Sequence, residues 1–226
     1  MTNALLRSGL AVAALLALAG CGEDAPDITG NLFGATGVRE FTDAEVTSMA
    51  LSINNAEIAA AQNTEARMTD QLARDFARMM LTSHTDSKVR MGQLAEEGVV
   101  PFDNPVSQAL RQMSEEEIMV LSRLSTPELD ESYAVSRVKM HSQDLTLIDC
   151  AMSPNADNNS LVTLLEQLRF DVESHLLSAQ QVQRALGIPD GGEGNLVRCV
   201  DVCSQSGEAK ANAASFPQSL KAAICK

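Results

Sequence analysis

The sequence predicts an all-α protein whose central part is a four-helix bundle. Apolar residues recur at helical spacing in four stretches of about 20 to 30 residues each. Capping residues, glycines and prolines stand near the ends of these stretches, where helices start and stop. Strand signals are absent, because β-branched residues are scattered and no two-residue hairpin turn separates alternating runs.

The amino-acid composition excludes several classes of function. The 226 residues include 30 acidic and 17 basic side chains, which gives a formal net charge of −13. A binder of the phosphate backbone needs clustered Lys and Arg, so this charge argues against nucleic acid as a partner. Six phenylalanines, one tyrosine and no tryptophan leave little to stack on bases or sugar rings.

Residues 1–20 have the organisation of an export signal. Arg7 is the single charge, residues 9–18 are small or apolar, and residues 18–21 are Leu-Ala-Gly-Cys. This order of a basic start, an apolar run and small residues is typical of a secretory signal peptide. The run is too short to span a hydrocarbon core about 30 Å thick as a permanent helix.

The end of this segment resembles the lipobox of bacterial lipoproteins. In that family a diacylglyceryl group is attached to the cysteine that becomes the first residue after cleavage, here Cys21. Acyl chains anchor a protein because each buried methylene contributes about 0.8 kcal/mol. Gly22 follows, instead of the aspartate that marks inner-membrane retention in enteric bacteria. The resemblance implies a lipid anchor on the periplasmic side, at the outer membrane rather than the inner membrane. An ordinary signal peptide with a coincidental cysteine is the alternative.

A lipidated tether is predicted for residues 21–42, and the helical bundle for residues 43–187. The tether is rich in Gly, Asp and Thr and lacks helical periodicity. Thr42 and Glu45 have the spacing of a capping box, which predicts the start of the first helix.

The second helix is predicted over residues 65–97, because Gly98 stands at the C-cap position and Pro101 follows it. Its predicted inner side contains Leu72, Phe76, Met79, Met80, Met91 and Leu94. Methionines at helical core spacing, including Met119 further on, favour core packing over copper handling.

A long connection, residues 98–127, is predicted to hold two short helical pieces at residues 106–112 and 114–124. Pro127 is predicted to open the third helix, and Gly187 and Pro189 to end the fourth. Two helical hairpins joined by one long helical crossover have ferritin-like connectivity.

Four motifs of the predicted bundle resemble one bacterial envelope family. They are Ala56-Glu57-Ile58, Phe76-Ala77-x-x-Met80 continuing to His84, the interval from Tyr133 to His141, and His175-Leu176. The family is the one named domain of unknown function 4142, and the resemblance covers about residues 43–187. It departs at Ser83, where the family usually has Asp, and in the cysteine-containing tail. The resemblance implies a ferritin-like helical bundle without an established biochemical activity.

Four cysteines remain after Cys21, and an even number in an exported chain predicts two disulfides. They are Cys150, Cys199, Cys203 and Cys225, of which three lie in the predicted Gly-rich tail, residues 188–226. Three connectivities are open, and we favour Cys150 with Cys199 or Cys203, which would pin the tail to the third helix. A metal or redox site is the alternative, but the tail contains no histidine and no Cys-x-x-Cys motif.

The three histidines fall one each on the second, third and fourth predicted helices. His141 and His175 lie on the inner faces of their helices, and His84 lies at the edge of its apolar stripe. These residues could bind zinc or copper, with Glu57 or Met80 as a further ligand.

Two considerations weaken this metal hypothesis. Measured along the helix axes from the predicted turn between the first and second helices, Glu57 and His84 differ in position by about 15 Å. The alternative is that the histidines are core residues hydrogen-bonded to neighbours such as Asp144 or Asp171.

The sequence argues against an enzyme. A di-iron oxidase needs a Glu-x-x-His motif on each of two helices, but the residues three before the histidines are Leu81, Val138 and Val172. Nucleophile-elbow, P-loop, dinucleotide and His-Glu-x-x-His motifs are missing too. We therefore expect a non-enzymatic, lipid-anchored periplasmic protein that binds or scaffolds an envelope component. The alternative is a metal-binding protein that uses the inward histidines, for example in zinc or copper buffering.

Overall fold

The computed structural model describes residues 37–191, 194–204, 206–207 and 216–226. The predicted signal peptide, the lipidation site Cys21 and the tether up to residue 36 lie outside the described residues. In the part that is described, none of the helices has the length and apolar character needed to cross a membrane.

The all-α prediction is confirmed, since the described residues form helices and a single isolated bridge between Val38 and Cys225. The long helices are α1 (Asp43–Thr64), α2 (Gln71–Gln93), α3 (Pro105–Leu121), α4 (Glu128–Leu147) and α5 (Asn159–Ala185). Two short helices, α6 (Cys199–Val202) and α7 (Gln218–Ile224), lie in the tail. Short 3₁₀ helices occupy Glu65–Arg67, Leu94–Glu97 and Ser153–Asn155, and a π-helical turn occupies Ile148–Met152.

Contacts between helix ends establish the ferritin-like connectivity. The carboxylate of Asp130, at the start of α4, accepts hydrogen bonds from the backbone N–H groups of Thr69 and Asp70, just before α2. The carboxylate of Asp43, at the start of α1, accepts one from the N–H of Asn158, just before α5. Helices α2 and α4 are therefore parallel, and so are α1 and α5, as the prediction requires.

The prediction that the crossover holds two short helices is wrong. Residues 105–121 form one continuous helix, α3, capped by Asn104 and with Pro105 at its first position. Ser114, the expected start of the second piece, is a buried residue within this helix. The acids that follow it are therefore in the middle of the helix and do not mark an N-terminus.

Helix α3 packs along the outside of α1. Near its start, the Asn104 side-chain amide donates to the backbone oxygen of Glu45 at 3.0 Å. At its other end, the Arg67 guanidinium donates to the backbone oxygen of Leu121 at 3.1 Å. The crossover therefore covers one side of the bundle over the length of the first helix.

The predicted start of the first helix and the predicted glycine after the second helix are correct, but the predicted start of the second helix is wrong. Thr42 and Glu45 form the capping box before α1, and Gly98 has the left-handed conformation (φ 88°) after the second hairpin arm. Helix α2 starts at Gln71, because the Asp70 side chain accepts a hydrogen bond from the N–H of Ala73 and so caps it. The expected start at residue 65 ignored this aspartate.

Three residues assigned to the core are exposed at the surface. Leu72 and Met79 are 46% and 39% exposed, and Met119 is 51% exposed. The first two lie where α2 passes α5, on the outer side of a stripe whose inner members Phe76, Met80 and Met91 are buried. Apolar residues at helical spacing show which face of a helix is buried. How wide the buried face is depends on how closely the neighbouring helix approaches.

Two disulfides pin the tail, as predicted. Cys150 is bonded to Cys199, which attaches the tail to the turn after α4. Cys203 is bonded to Cys225, which joins the two short tail helices. This is one of the two connectivities predicted from the sequence.

Candidate metal site

Three helices bring His84, His141 and His175 together inside the bundle. The ring centroids are 6.2 Å apart for His84 and His141, 5.0 Å for His84 and His175, and 5.6 Å for His141 and His175. The residues are 1%, 0% and 4% exposed, respectively. One ring nitrogen of each lies within 4.8 Å of the others, so the group could hold a metal ion.

Most of the buried ring nitrogens have no protein partner. Nδ1 of His84 is 3.0 Å from Oδ1 of Asn54. Within the described chain, Nε2 of His84, both nitrogens of His141 and Nδ1 of His175 make no hydrogen bond of normal geometry, although the His141 ring does interact with the Arg137 backbone. An unpaired buried polar group is costly, so this cluster requires an explanation.

The alternative prediction is that Asp144 or Asp171 forms hydrogen bonds with the histidines. Among the described residues, neither aspartate forms such a bond. Asp171 instead accepts from the Gln167 amide and pairs with Arg90. Asp144 is buried, and desolvation raises the pKa of its carboxyl well above the usual value, with the Glu57 charge acting in the same direction. Neither aspartate orients a histidine.

Burial keeps the three imidazoles neutral. Desolvation lowers the pKa of His84 to about 3. Desolvation also lowers the pKa of His141 well below its usual value. The charges of His175 and Arg137 add to this effect, and an interaction with the Arg137 backbone opposes it. The pKa of His175 is lowered chiefly by the same burial. A neutral imidazole has a free lone pair, which is the form that binds a metal ion.

A buried ion triad lies next to the histidines. Arg137, on the inner face of α4, donates to the carboxylates of both Glu57 on α1 and Glu117 on α3. Oε2 of Glu57 is 3.8 Å from Nε2 of His141, whereas Oε1 of Glu57 is buried and has no partner. Arg137 is not among the residues predicted from the sequence, although its position midway between Tyr133 and His141 on an inner face could have indicated a buried charge.

Glu57 is therefore beside the histidine group, and the predicted mismatch in depth is wrong. That estimate counted α2 from residue 65, but the helix starts at Gln71, six residues later. At 1.5 Å per residue this removes about 9 Å of the difference. The residue level with His84 is Asn54, one turn before Glu57, and no sequence pattern had singled it out.

Met80, the other proposed extra ligand, is fully buried in the core one turn before His84 on α2. Its thioether is available only to groups inside the bundle. Its role as a ligand stays a prediction.

The fold and this site define a disulfide-pinned helical bundle with a buried three-histidine group. The family model described as a domain of unknown function (DUF4142) matches residues 33–182, and the chain belongs to this family. The match includes all three histidines, Glu57 and Arg137, and it ends before the cysteines of the tail. No curated protein and no solved structure matches the chain.

Proposed function

We propose that this protein binds a transition-metal cation, zinc or copper, through His84, His141 and His175. The observation that supports this most directly is the convergence of one ring nitrogen from each histidine within 4.8 Å, in a group whose ring nitrogens are mostly buried and unpartnered. Each unsatisfied buried group costs about 1–3 kcal/mol. A metal ion bound by one nitrogen of each histidine would remove that cost for the unpartnered atoms that bind it.

The surrounding charges favour a cation over an anion. Three neutral imidazoles are next to a triad in which two carboxylates, Glu57 and Glu117, face one guanidinium, Arg137. The triad therefore has a formal excess of negative charge beside the histidine group. Because interactions between charges are stronger in a poorly polarisable interior than in water, this excess attracts a positive ion.

Imidazole nitrogen suits zinc and copper, which is why we propose these metals. We propose binding or buffering as the activity, without catalysis. The histidine side chains are enclosed by α1, α2, α4 and α5, and a substrate would have to enter the core to reach the ion.

We further propose that the protein acts in the cell envelope, attached by a lipid at Cys21 and facing the periplasm. The lipobox-like end of residues 1–20 supports the anchor. The disulfides Cys150–Cys199 and Cys203–Cys225 support an oxidising compartment, because such bonds are rare in a reducing cytosol.

Metal analysis of the purified mature chain tests the binding proposal. The wild-type protein should hold close to one equivalent of zinc or copper after reconstitution and dialysis. His141→Gln, which keeps the side-chain bulk, should lose it. Met140→Leu is the matched control, because Met140 is the buried neighbour of His141 and is not part of the histidine group. If the wild-type protein retains neither metal while its circular dichroism shows a folded bundle, the proposed function is wrong.

A further inference from the structure

We propose that Glu57 is the fourth ligand of this site, so that the ion is enclosed by three imidazoles and one carboxylate and a divalent cation is selected over Cu(I). This inference rests on the proposed function, since it concerns the same ion. It assigns a role to the one buried carboxylate among the described residues that combines proximity to a histidine with an unpartnered oxygen.

The distance between Glu57 and His141 suits two ligands of one ion. In a tetrahedral zinc site with bonds of about 2.0–2.1 Å, neighbouring ligand atoms lie about 3.3 Å apart. Oε2 of Glu57 and Nε2 of His141 are 3.8 Å apart, too far for a hydrogen bond and only slightly wider than that separation. The three histidine nitrogens lie within 4.8 Å of one another and Glu57 is not part of that group, so a bound ion would draw the Glu57 carboxylate towards the rings as well as the rings towards each other.

The Arg137 contact leaves the Glu57 carboxylate able to bind an ion. Oε2, the oxygen near His141, accepts a hydrogen bond from the fully buried Arg137 and keeps a second lone pair for the ion, whereas Oε1 has no partner. Arg137 is itself held by Glu117 on the crossover helix α3. Hydrogen bonds from an outer layer orient carboxylate ligands in metal sites, and Arg137 is placed to act as such a positioning residue for Glu57.

The charge of Glu57 reaches the other two histidines as well. Burial lowers the pKa of both His84 and His175, and the Glu57 carboxylate opposes this by favouring positive charge on each ring. A positive ion between the rings would be stabilised by the same interaction.

The resulting donor set determines which metals are favoured. Carboxylate oxygen is a hard, anionic ligand, and together with three imidazoles it suits Zn²⁺ and similar divalent ions. Cu(I) prefers soft sulfur ligands, and Glu57 offers it little. Four protein ligands also leave no open position for a substrate, which is characteristic of structural or storage sites.

Two variants of the same ion triad test this role. Glu57→Gln removes the proposed ligand, and Glu117→Gln removes the other carboxylate partner of Arg137 without touching the histidine group. The probes are Zn²⁺, measured by competition with a chelator, Co²⁺, whose visible spectrum reports coordination, and Cu(I). The experiment uses the whole mature chain, with circular dichroism to confirm the fold of each variant.

Glu57→Gln should weaken Zn²⁺ binding by more than about 100-fold, which exceeds the 10–100-fold typical of losing an outer-layer partner. It should also change the Co²⁺ spectrum, while Cu(I) affinity changes by less than about 3-fold. Glu117→Gln should leave the Co²⁺ spectrum as in the wild-type protein. Equal effects of the two variants, or an unchanged Co²⁺ spectrum in Glu57→Gln, would overturn the inference while leaving three-histidine binding intact.

If Glu57→Gln does not fold, Glu57→Asp provides the test. The shorter carboxylate should alter the Co²⁺ spectrum, and an unaltered one overturns the inference.

Discussion

Asn54 sets the tautomer of His84. Nδ2 of Asn54 donates to the backbone oxygen of Ala50 at 3.0 Å, so its Oδ1 is the atom that faces Nδ1 of His84, also at 3.0 Å. Because Oδ1 can only accept, Nδ1 of His84 must carry the proton and Nε2 the lone pair. The unpartnered Nε2 is thus the nitrogen that His84 offers to a metal ion.

Replacing Asn54 with Leu should release this constraint with little change in volume. In the metal-free protein, ¹⁵N shifts of His84 should move from the Nδ1–H form towards a mixture of tautomers, and zinc affinity should fall about 10–100-fold. Ser52→Ala is the control, because the buried Ser52 hydroxyl bonds only to the Ser48 backbone on the same helix. Unchanged ¹⁵N shifts in Asn54→Leu would show that another group sets the tautomer.

Replacing Arg137 with Met should destabilise the protein by about 3–5 kcal/mol, because it leaves the carboxylates of Glu57 and Glu117 buried without their counter-ion. Urea unfolding followed by circular dichroism measures the loss. Arg111→Met is the matched control, because Arg111 pairs with Asp103 at the surface and its loss should cost about 0–1 kcal/mol. A similar cost for the two variants would mean that water reaches the triad.

Met80→Leu tests whether the thioether takes part in metal binding. If Glu57 is the fourth ligand, this volume-conserving change should leave Zn²⁺ and Cu(I) affinities within about 3-fold of the wild-type values. Met91→Leu, another buried position on α2, is the control for packing. A large loss of Cu(I) affinity confined to Met80→Leu would instead identify a copper site with a sulfur ligand.

Replacing Cys21 with Ser should release the protein from membranes, because the proposed lipid attachment needs the cysteine sulfur. Fractionation of cells, followed by detergent-free washing of the membranes, measures this release. Cys225→Ser is the comparison, since it removes a cysteine that forms a disulfide in the tail and should leave the attachment intact. Retention of Cys21→Ser on washed membranes would contradict the lipid anchor.

Features that depend on neighbouring residues were predictable from the sequence. The capping box of Thr42 and Glu45 and the left-handed Gly98 each depend on a few adjacent positions. Apolar periodicity placed His141 and His175 inside the bundle, and the number of cysteines indicated two disulfides. The start of α2 is also set by a nearby residue, because the Asp70 side chain caps the helix there. The predicted start at residue 65 is wrong because it does not take this cap into account.

The composition of the site depends instead on the register between helices. Which residue of α1 faces His84 depends on where α2 starts and how the two helices pack, so Asn54 could be recognised only in the folded chain. Arg137 bonds to side chains 80 and 20 residues away, on α1 and on the crossover helix α3. The helical spacing of apolar residues predicts which side of a helix is buried, but it does not predict which residues of the neighbouring helices that side contacts. Tertiary packing therefore turned three inward histidines into one group, with Glu57 beside it.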